Sequence, residues 1–129
     1  MIALDTNVVV RFLVNDEAVQ ARRARALIEA NPVFVPVTVL LETEWVLRGG
    51  YRLPRVEVVR LLRALLGLPD LSTEDPQRIA RALEWHEGGI DFADALHLAR
   101  STGAERFATF DEKLVKAARK LDAAKVVLA

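Results

Sequence analysis

The 129-residue sequence contains no cysteine. Disulfides and thiolate metal sites are thereby excluded, and any metal bound here must be held by oxygen or imidazole donors. Neither sign of charge is in excess: 18 Lys and Arg stand against 18 Asp and Glu. An overall basic balance, the broadest signature of a nucleic-acid-binding chain, is absent, although a local basic groove remains compatible with neutrality. No apolar run approaches the roughly 20 residues that span a bilayer. The N-terminus has no basic stretch, and Asp5 falls where the apolar part of a signal peptide would begin. No repeat, linker or low-complexity segment is visible. With 52% of its residues apolar, the chain can build a real core. The expectation is one domain over residues 1–129, cytoplasmic, with no membrane association.

Punctuation and periodicity divide the chain into alternating strands and helices. Ile2–Leu4 reads as a short buried strand, and Asp5 as the start of a short helical turn. Residues 18–30 form a helix with Ala21, Ala24, Leu27 and Ile28 on one face, stopped by Asn31-Pro32. Val33–Val35 is a strand closed by Pro36. Thr38 is the expected N-cap of a helix over residues 39–48, which Gly49-Gly50 terminates. Pro54 opens a helix to Leu66, Asp75-Pro76 one to Glu87, Asp91 one to Arg100, and Asp111 one to Lys120. Arg106–Ala108 and Lys125–Leu128 are the remaining strands. Strands alternating with helices pair in parallel, and short, wholly apolar strands are those covered on both faces. The expected fold is α/β, a sandwich with a short, mostly parallel central sheet flanked by helices.

Four carboxylates stand out against that frame. In an open parallel sheet, ligands bind at the carboxyl ends of the strands. Asp5 follows the first strand, and Asp111 follows the Arg106–Ala108 strand. Each also has an ordinary explanation as an N-cap. Glu42 has Val39 three residues before it, Trp45 three after and Val46 four after, spacings that share a helix face. It is therefore expected on an apolar face, where an unpaired carboxylate is costly. Glu44, with Arg48 four residues on, reads as a solvated ion pair. Asp91 is a natural N-cap, which puts Asp94 at the third helical position, where an acid suits the helix dipole. Asp94 also stands on the side of Ala95 and Leu98, which packs. His97 reads as an ordinary surface histidine. If Asp5, Glu42, Asp94 and Asp111 converge, their mutual repulsion calls for a counter-charge. All-oxygen donors suit a hard divalent ion, Mg²⁺ or Mn²⁺. Such an ion lowers the pKa of a bound water and offsets charge developing on a phosphate, which is the chemistry of phosphodiester hydrolysis.

The stretches "LDTN", "VLLETEWVL", "DFADALHLA" and "TFDEKL" occur in that order along nearly the whole chain. With them the sequence resembles the PIN domain family, and within it the VapC-type toxins of type II toxin–antitoxin pairs. The resemblance implies a three-layer PIN-like sandwich and an acidic metal site of Asp5, Glu42, Asp94 and Asp111. It implies that Asn7 supports the first Asp, that Thr109 precedes the last one in a matching role, and that Thr6 is a further supporting residue. The implied activity is Mg²⁺- or Mn²⁺-dependent endoribonuclease cleavage, in which a metal-activated water attacks phosphorus and leaves a 5′-phosphate and a 3′-hydroxyl. The implied partners are RNA, a cognate VapB-type antitoxin in a groove near the site, and a second copy in a homodimer.

RNA must also be held. Arg11, Arg48, Lys113 and Lys116 are the candidates for phosphate contact, with Arg22, Arg23, Arg25, Arg52 and Arg55 behind them; singly, each reads as part of a solvated helix face. Trp45, Tyr51 and the Leu-rich stretch 58–68 are more apolar than one amphipathic face requires, and part of that surface is assigned to a dimer partner or antitoxin. A phosphoacceptor domain of receiver or haloacid-dehalogenase type is the competing α/β reading. The hydrolase type needs a second Asp two residues after its nucleophile, where this chain has Asn7. A receiver needs an acidic pair before the phosphoacceptor strand, whereas the acids here are spread over helices. A housekeeping RNA-processing PIN nuclease and a non-catalytic RNA- or partner-binding module stay open beside the toxin reading.

Overall fold

Five short strands and seven α-helices alternate along residues 1–129, all of which the computed structural model describes. They group into two units, Met1–Pro76 and Gln77–Ala129.

The first unit runs β1 (Ile2–Ala3), α1 (Thr6–Val14), α2 (Ala18–Ala30), β2 (Val33–Val35), α3 (Val37–Trp45), a π-helical turn (Val46–Gly50), α4 (Arg55–Leu66) and β3 (Leu71–Thr73). The strands form a parallel sheet in the order β1-β2-β3, with Ile2 opposite Val33 and Val33 opposite Leu71. Val33 and Val35 are fully buried, as expected of a central strand covered on both faces. The helix over Ala18–Ala30 forms as its spacing predicts, burying Ala21, Ala24 and Ile28. Glu17 caps it, accepting from the Val19 and Gln20 backbone N–H groups.

Three features of this unit differ from expectation. Where a short turn was predicted after Asp5, a nine-residue helix forms. Its Val8-Val9-Val10 run has poor intrinsic helix propensity, but Val9 and Val10 are buried almost completely, and burial outweighs propensity. Second, α3 starts at Val37, so Thr38 is not its N-cap; Pro36 takes that position. Pro36 has no side chain able to cap, and the Val37 N–H donates instead to Glu74 Oε1 at 2.9 Å, which satisfies one of the open donors of the helix start. Third, β3 went unseen. It is three residues long, Leu-Ser-Thr, and holds on partly through hydroxyls: Thr73 Oγ1 donates to the Val35 carbonyl at 2.7 Å.

The second unit carries α5 (Pro76–Glu87), α6 (Phe92–Ala99), β4 (Arg106–Thr109), α7 (Glu112–Ala118) and β5 (Lys125–Leu128). β4 and β5 pair in parallel, from Arg106 opposite Lys125 to Thr109 opposite Leu128. The strands thus hydrogen-bond as two parallel sheets, one of three strands and one of two, where one central sheet was expected. α5 buries Ile79, Ala82, Leu83 and His86, and α6 buries Phe92, Ala95, Leu96, Leu98 and Ala99. His86 is a core histidine, its Nδ1 2.7 Å from the Ile90 carbonyl and its ring 5.3 Å from that of Phe92. No helix is long and apolar enough to cross a membrane.

Candidate active site

In the first unit the site begins where β1 ends. Asp5 occupies the N-cap position of α1, with extended backbone (φ −81°, ψ 161°), yet its side chain caps nothing. One of the best capping residues stands at a capping position with its carboxylate unused. Thr6, the next residue, is buried, and its hydroxyl donates to Glu42 Oε1 on α3. The start of α1 and the middle of α3 are tied together through this bond.

Glu42 itself requires a correction. It was expected on a buried apolar face, with Glu44 outside, and the structure reverses them. The buried face of α3 and the following turn is Leu40, Thr43, Glu44 and Leu47, the i, i+3, i+4, i+7 stripe of a helix. Glu42 is exposed, on the side of Trp45, which is 63% exposed. Val39, Trp45 and Val46 form a partly solvated apolar strip and not the core stripe. Glu44, 1% exposed, is paired with Arg48 (Nε to Oε2, 2.9 Å), so the predicted ion pair exists but its acid is buried.

Asn7 is exposed and makes no hydrogen bond to Asp5; it borders a cleft of about 390 Å³ between α1 and α2, with Arg11, Gln20 and Arg23 along it. Arg11 is committed internally. It donates to Gln20 Oε1 (2.7 Å), Asp16 Oδ1 (3.2 Å) and the Tyr51 hydroxyl (2.9 Å), while Tyr51 donates to Asp16 Oδ2 (2.8 Å). The Tyr51 hydrogen bond, more than the Arg11 charge, holds the Asp16 carboxyl below the usual range.

In the second unit the acids crowd. Asp91 caps α6, its Oδ2 accepting from the Asp94 N–H at 3.3 Å. Asp94 stands at the third helical position, half-buried. Burial above all, then the charges of Asp91 and Asp111, push its carboxyl above the usual range, with His97 acting weakly in the opposite direction. Asp111 is the N-cap of α7: its Oδ1 accepts from the Lys113 (2.9 Å) and Leu114 (3.2 Å) N–H groups, leaving Oδ2 without a hydrogen bond. The Asp111 N–H donates to Thr109 Oγ1 at 3.1 Å, so Thr109 fixes the backbone of the acid it precedes. Lys113 and Lys116 are exposed and border a cleft of about 440 Å³.

The structure thus joins Thr6 to Glu42 in one unit, and Asp94 to Asp91, Asp111 and Thr109 in the other. No three His, Asp or Glu side chains gather closely enough to hold a metal ion by themselves. The donor set still fits a hard divalent ion. It is all oxygen, its members repel one another around Asp94, and Mg²⁺ keeps most of its waters and needs only one or two carboxylates. Two surface residues have no role in the sequence-based reading: Phe110, next to Asp111 in the chain, and Arg119, on the cleft of about 440 Å³. Phe110 has a legible signal: it continues the alternation of β4 on the same side as Arg106 and Ala108, the exposed one.

Residues 2–120 match the family model described as PIN domain. No curated protein and no solved structure matches the chain. PIN domains are in general metal-dependent nucleases acting on RNA, with an α/β fold of short parallel sheets and flanking helices.

Proposed function

The chain belongs to the PIN domain family, and from that we propose that it is a Mg²⁺- or Mn²⁺-dependent endoribonuclease of VapC type, the toxin of a toxin–antitoxin pair. In this reading residues 1–129 are a single PIN domain, and Asp5, Glu42, Asp94 and Asp111 are its metal-holding acids. One observation carries this reading. Each of the four carboxylates keeps at least one oxygen outside every hydrogen bond and salt bridge of the protein, Asp5 at a helix start where a capping bond is there to be made.

When bound, the divalent ion supplies an acidified water and offsets charge developing on the phosphate. The chain's own residues position and bind. Thr6 orients the Glu42 carboxylate through its hydroxyl. Thr109 and the α7 N–H groups hold Asp111 by its backbone and Oδ1. Asp91 fixes the first turn of α6 and with it Asp94. Asn7 borders the α1–α2 cleft next to Asp5, within reach of a water or a phosphate oxygen entering there. The toxin assignment, a VapB-type antitoxin, a homodimer and a cytoplasmic setting follow from the sequence resemblance. The partly exposed apolar strip of Trp45 and Val46 is the surface offered to such a partner.

The test is cleavage of a mixed pool of structured RNA by purified protein, with Mg²⁺ or Mn²⁺, with EDTA, and with the Asp94→Asn variant. Discrete cuts that need metal and disappear in the variant support the nuclease. RNA left intact by wild type in every condition, but still bound, transfers the protein to the binding-module reading. Growth arrest on expression in a bacterial host, relieved by the product of an adjacent gene, separates a toxin from a housekeeping enzyme.

A further inference from the structure

A pocket of about 290 Å³ opens where the sheet of the first unit begins. Val33 and Leu71, the first residues of β2 and β3, stand opposite each other in register and both line it. The pocket thus lies at the amino ends of the parallel strands, whereas Asp5 follows the carboxyl end of β1. The turn before β3 shapes one side: the Val33 N–H donates to the Asp70 carbonyl at 2.9 Å and the Leu71 N–H to the Leu68 carbonyl at 3.3 Å. Buried Ile28 and Val33 make the lining apolar. Charge is confined to three residues. Arg25 lies over the Phe12 ring, its guanidinium carbon 5.4 Å from the ring centre, and is 3.6 Å from Glu29. That ion pair is weak, since both side chains are more than half exposed (57% and 65%). The Asp70 side chain is exposed and in no hydrogen bond or salt bridge. Two carboxylates therefore border the pocket against one cation.

Such an acidic rim repels a phosphate backbone and attracts a cation. The pocket is smaller than the roughly 300–1,000 Å³ of small-molecule sites, a size that suits a side chain. An apolar lining with an unpaired carboxylate at its edge matches a side chain that has an aliphatic stem and a cationic head. Arginine matches better than lysine, because its planar head both stacks on an aromatic face and pairs in a fork with a carboxylate. The Phe12 ring already holds a guanidinium, that of Arg25. We propose that this pocket docks an arginine side chain of a protein partner, with the stem on the apolar lining and the head at Phe12 and Asp70. Arg25 occupies the ring until the partner's arginine displaces it. Nothing in this docking requires the chain to be a nuclease.

The test is a titration of isotope-labelled full-length protein, followed by amide chemical shifts. The probes are N-acetyl-arginine methylamide, its neutral citrulline analogue of nearly the same shape, free arginine and spermidine. Capped arginine is expected to shift the Phe12, Asp70 and Leu71 amides saturably, with millimolar affinity, and to bind about fivefold more tightly than the citrulline analogue. Asp70→Asn should weaken that binding about fivefold, and Phe12→Leu about threefold. Arg25→Ala should tighten it about threefold, because the ring is vacated and Glu29 loses its partner. Asp70 and Arg25 are exposed, so both replacements spare the core. No saturable shift at these amides, equal binding of the citrulline analogue, or weaker binding in Arg25→Ala overturns the proposal. Spermidine or free arginine bound more tightly than the capped form also overturns it, and leaves a small-molecule site. Shifts at these amides on raising the protein concentration alone overturn it in favour of a second copy of the chain.

Discussion

Thr6→Val isolates the contact that ties two sequence-predicted site residues on different helices, α1 and α3. The substitution keeps the shape of a buried side chain and removes its hydroxyl, which donates to Glu42 Oε1. A hydrogen bond to a charged acceptor is worth roughly 1.5–3 kcal/mol, and a neutral one about 0.5–1.5 kcal/mol. Two features set this case near the overlap of those ranges. Glu42 is exposed, so water replaces the lost donor, and Val leaves no orphaned polar group behind. The expected loss is about 1 kcal/mol, or about 3–5 °C in Tm for a domain of this size. Urea unfolding of Thr6→Val, Glu42→Ala and the double variant closes a mutant cycle. The coupling should be about 1 kcal/mol, and Thr6→Ser, which keeps the hydroxyl and loses only a buried methyl, should retain that coupling. Effects that add, with coupling below about 0.3 kcal/mol, would refute the idea that Thr6 holds Glu42 in place.

Three further outcomes follow from the same geometry. Asp111→Ala removes an N-cap and should cost about 1 kcal/mol, whereas Asp5→Ala, which removes no capping bond, should change stability by less than about 0.5 kcal/mol; RNA cleavage should be lost in both, which a thermal melt beside an activity assay reads out. Asp94→Asn should raise the Tm of the metal-free protein near neutral pH. Folding raises the proton affinity of Asp94 through burial and through Asp91 and Asp111, so the wild type loses stability as pH rises through the folded pKa, and the advantage of the variant should close below the ordinary carboxylate range. Arg48→Met should destabilise by about 1–3 kcal/mol, because Glu44 is buried against it, a loss that urea unfolding reads out.

Much of the fold was legible because its boundaries are chemical. Asn31-Pro32, Pro36, Gly49-Gly50, Pro54, Gly67 and Asp75-Pro76 all mark element ends in the structure as they do in the sequence. What escaped was decided by tertiary context. The valines of α1 form a helix because Val9 and Val10 have a core to enter, and β3 is too short and too polar for alternation to reveal it. In the site, the N-caps Asp91 and Asp111 and the third-position Asp94 lie where local rules put them. The α3 acids were inverted because Val39, Trp45 and Val46 outnumber the apolar residues of the true core face, which is completed by Thr43 and by Glu44 with its Arg48 partner. A helical stripe that includes a buried ion pair does not look apolar from sequence alone.

We propose that Asp5, Glu42, Asp94 and Asp111 serve one divalent ion. Mn²⁺ binding, followed by the loss of its free-ion electron paramagnetic resonance signal, tests it without requiring turnover. Wild type should bind, and Asp5→Asn, Glu42→Gln, Asp94→Asn and Asp111→Asn should each weaken binding by at least about tenfold, in line with the loss of a carboxylate ligand from a hard-ion site. Mn²⁺ affinity that falls with Asp94→Asn and Asp111→Asn but is unchanged by Asp5→Asn and Glu42→Gln would contradict a single four-carboxylate site.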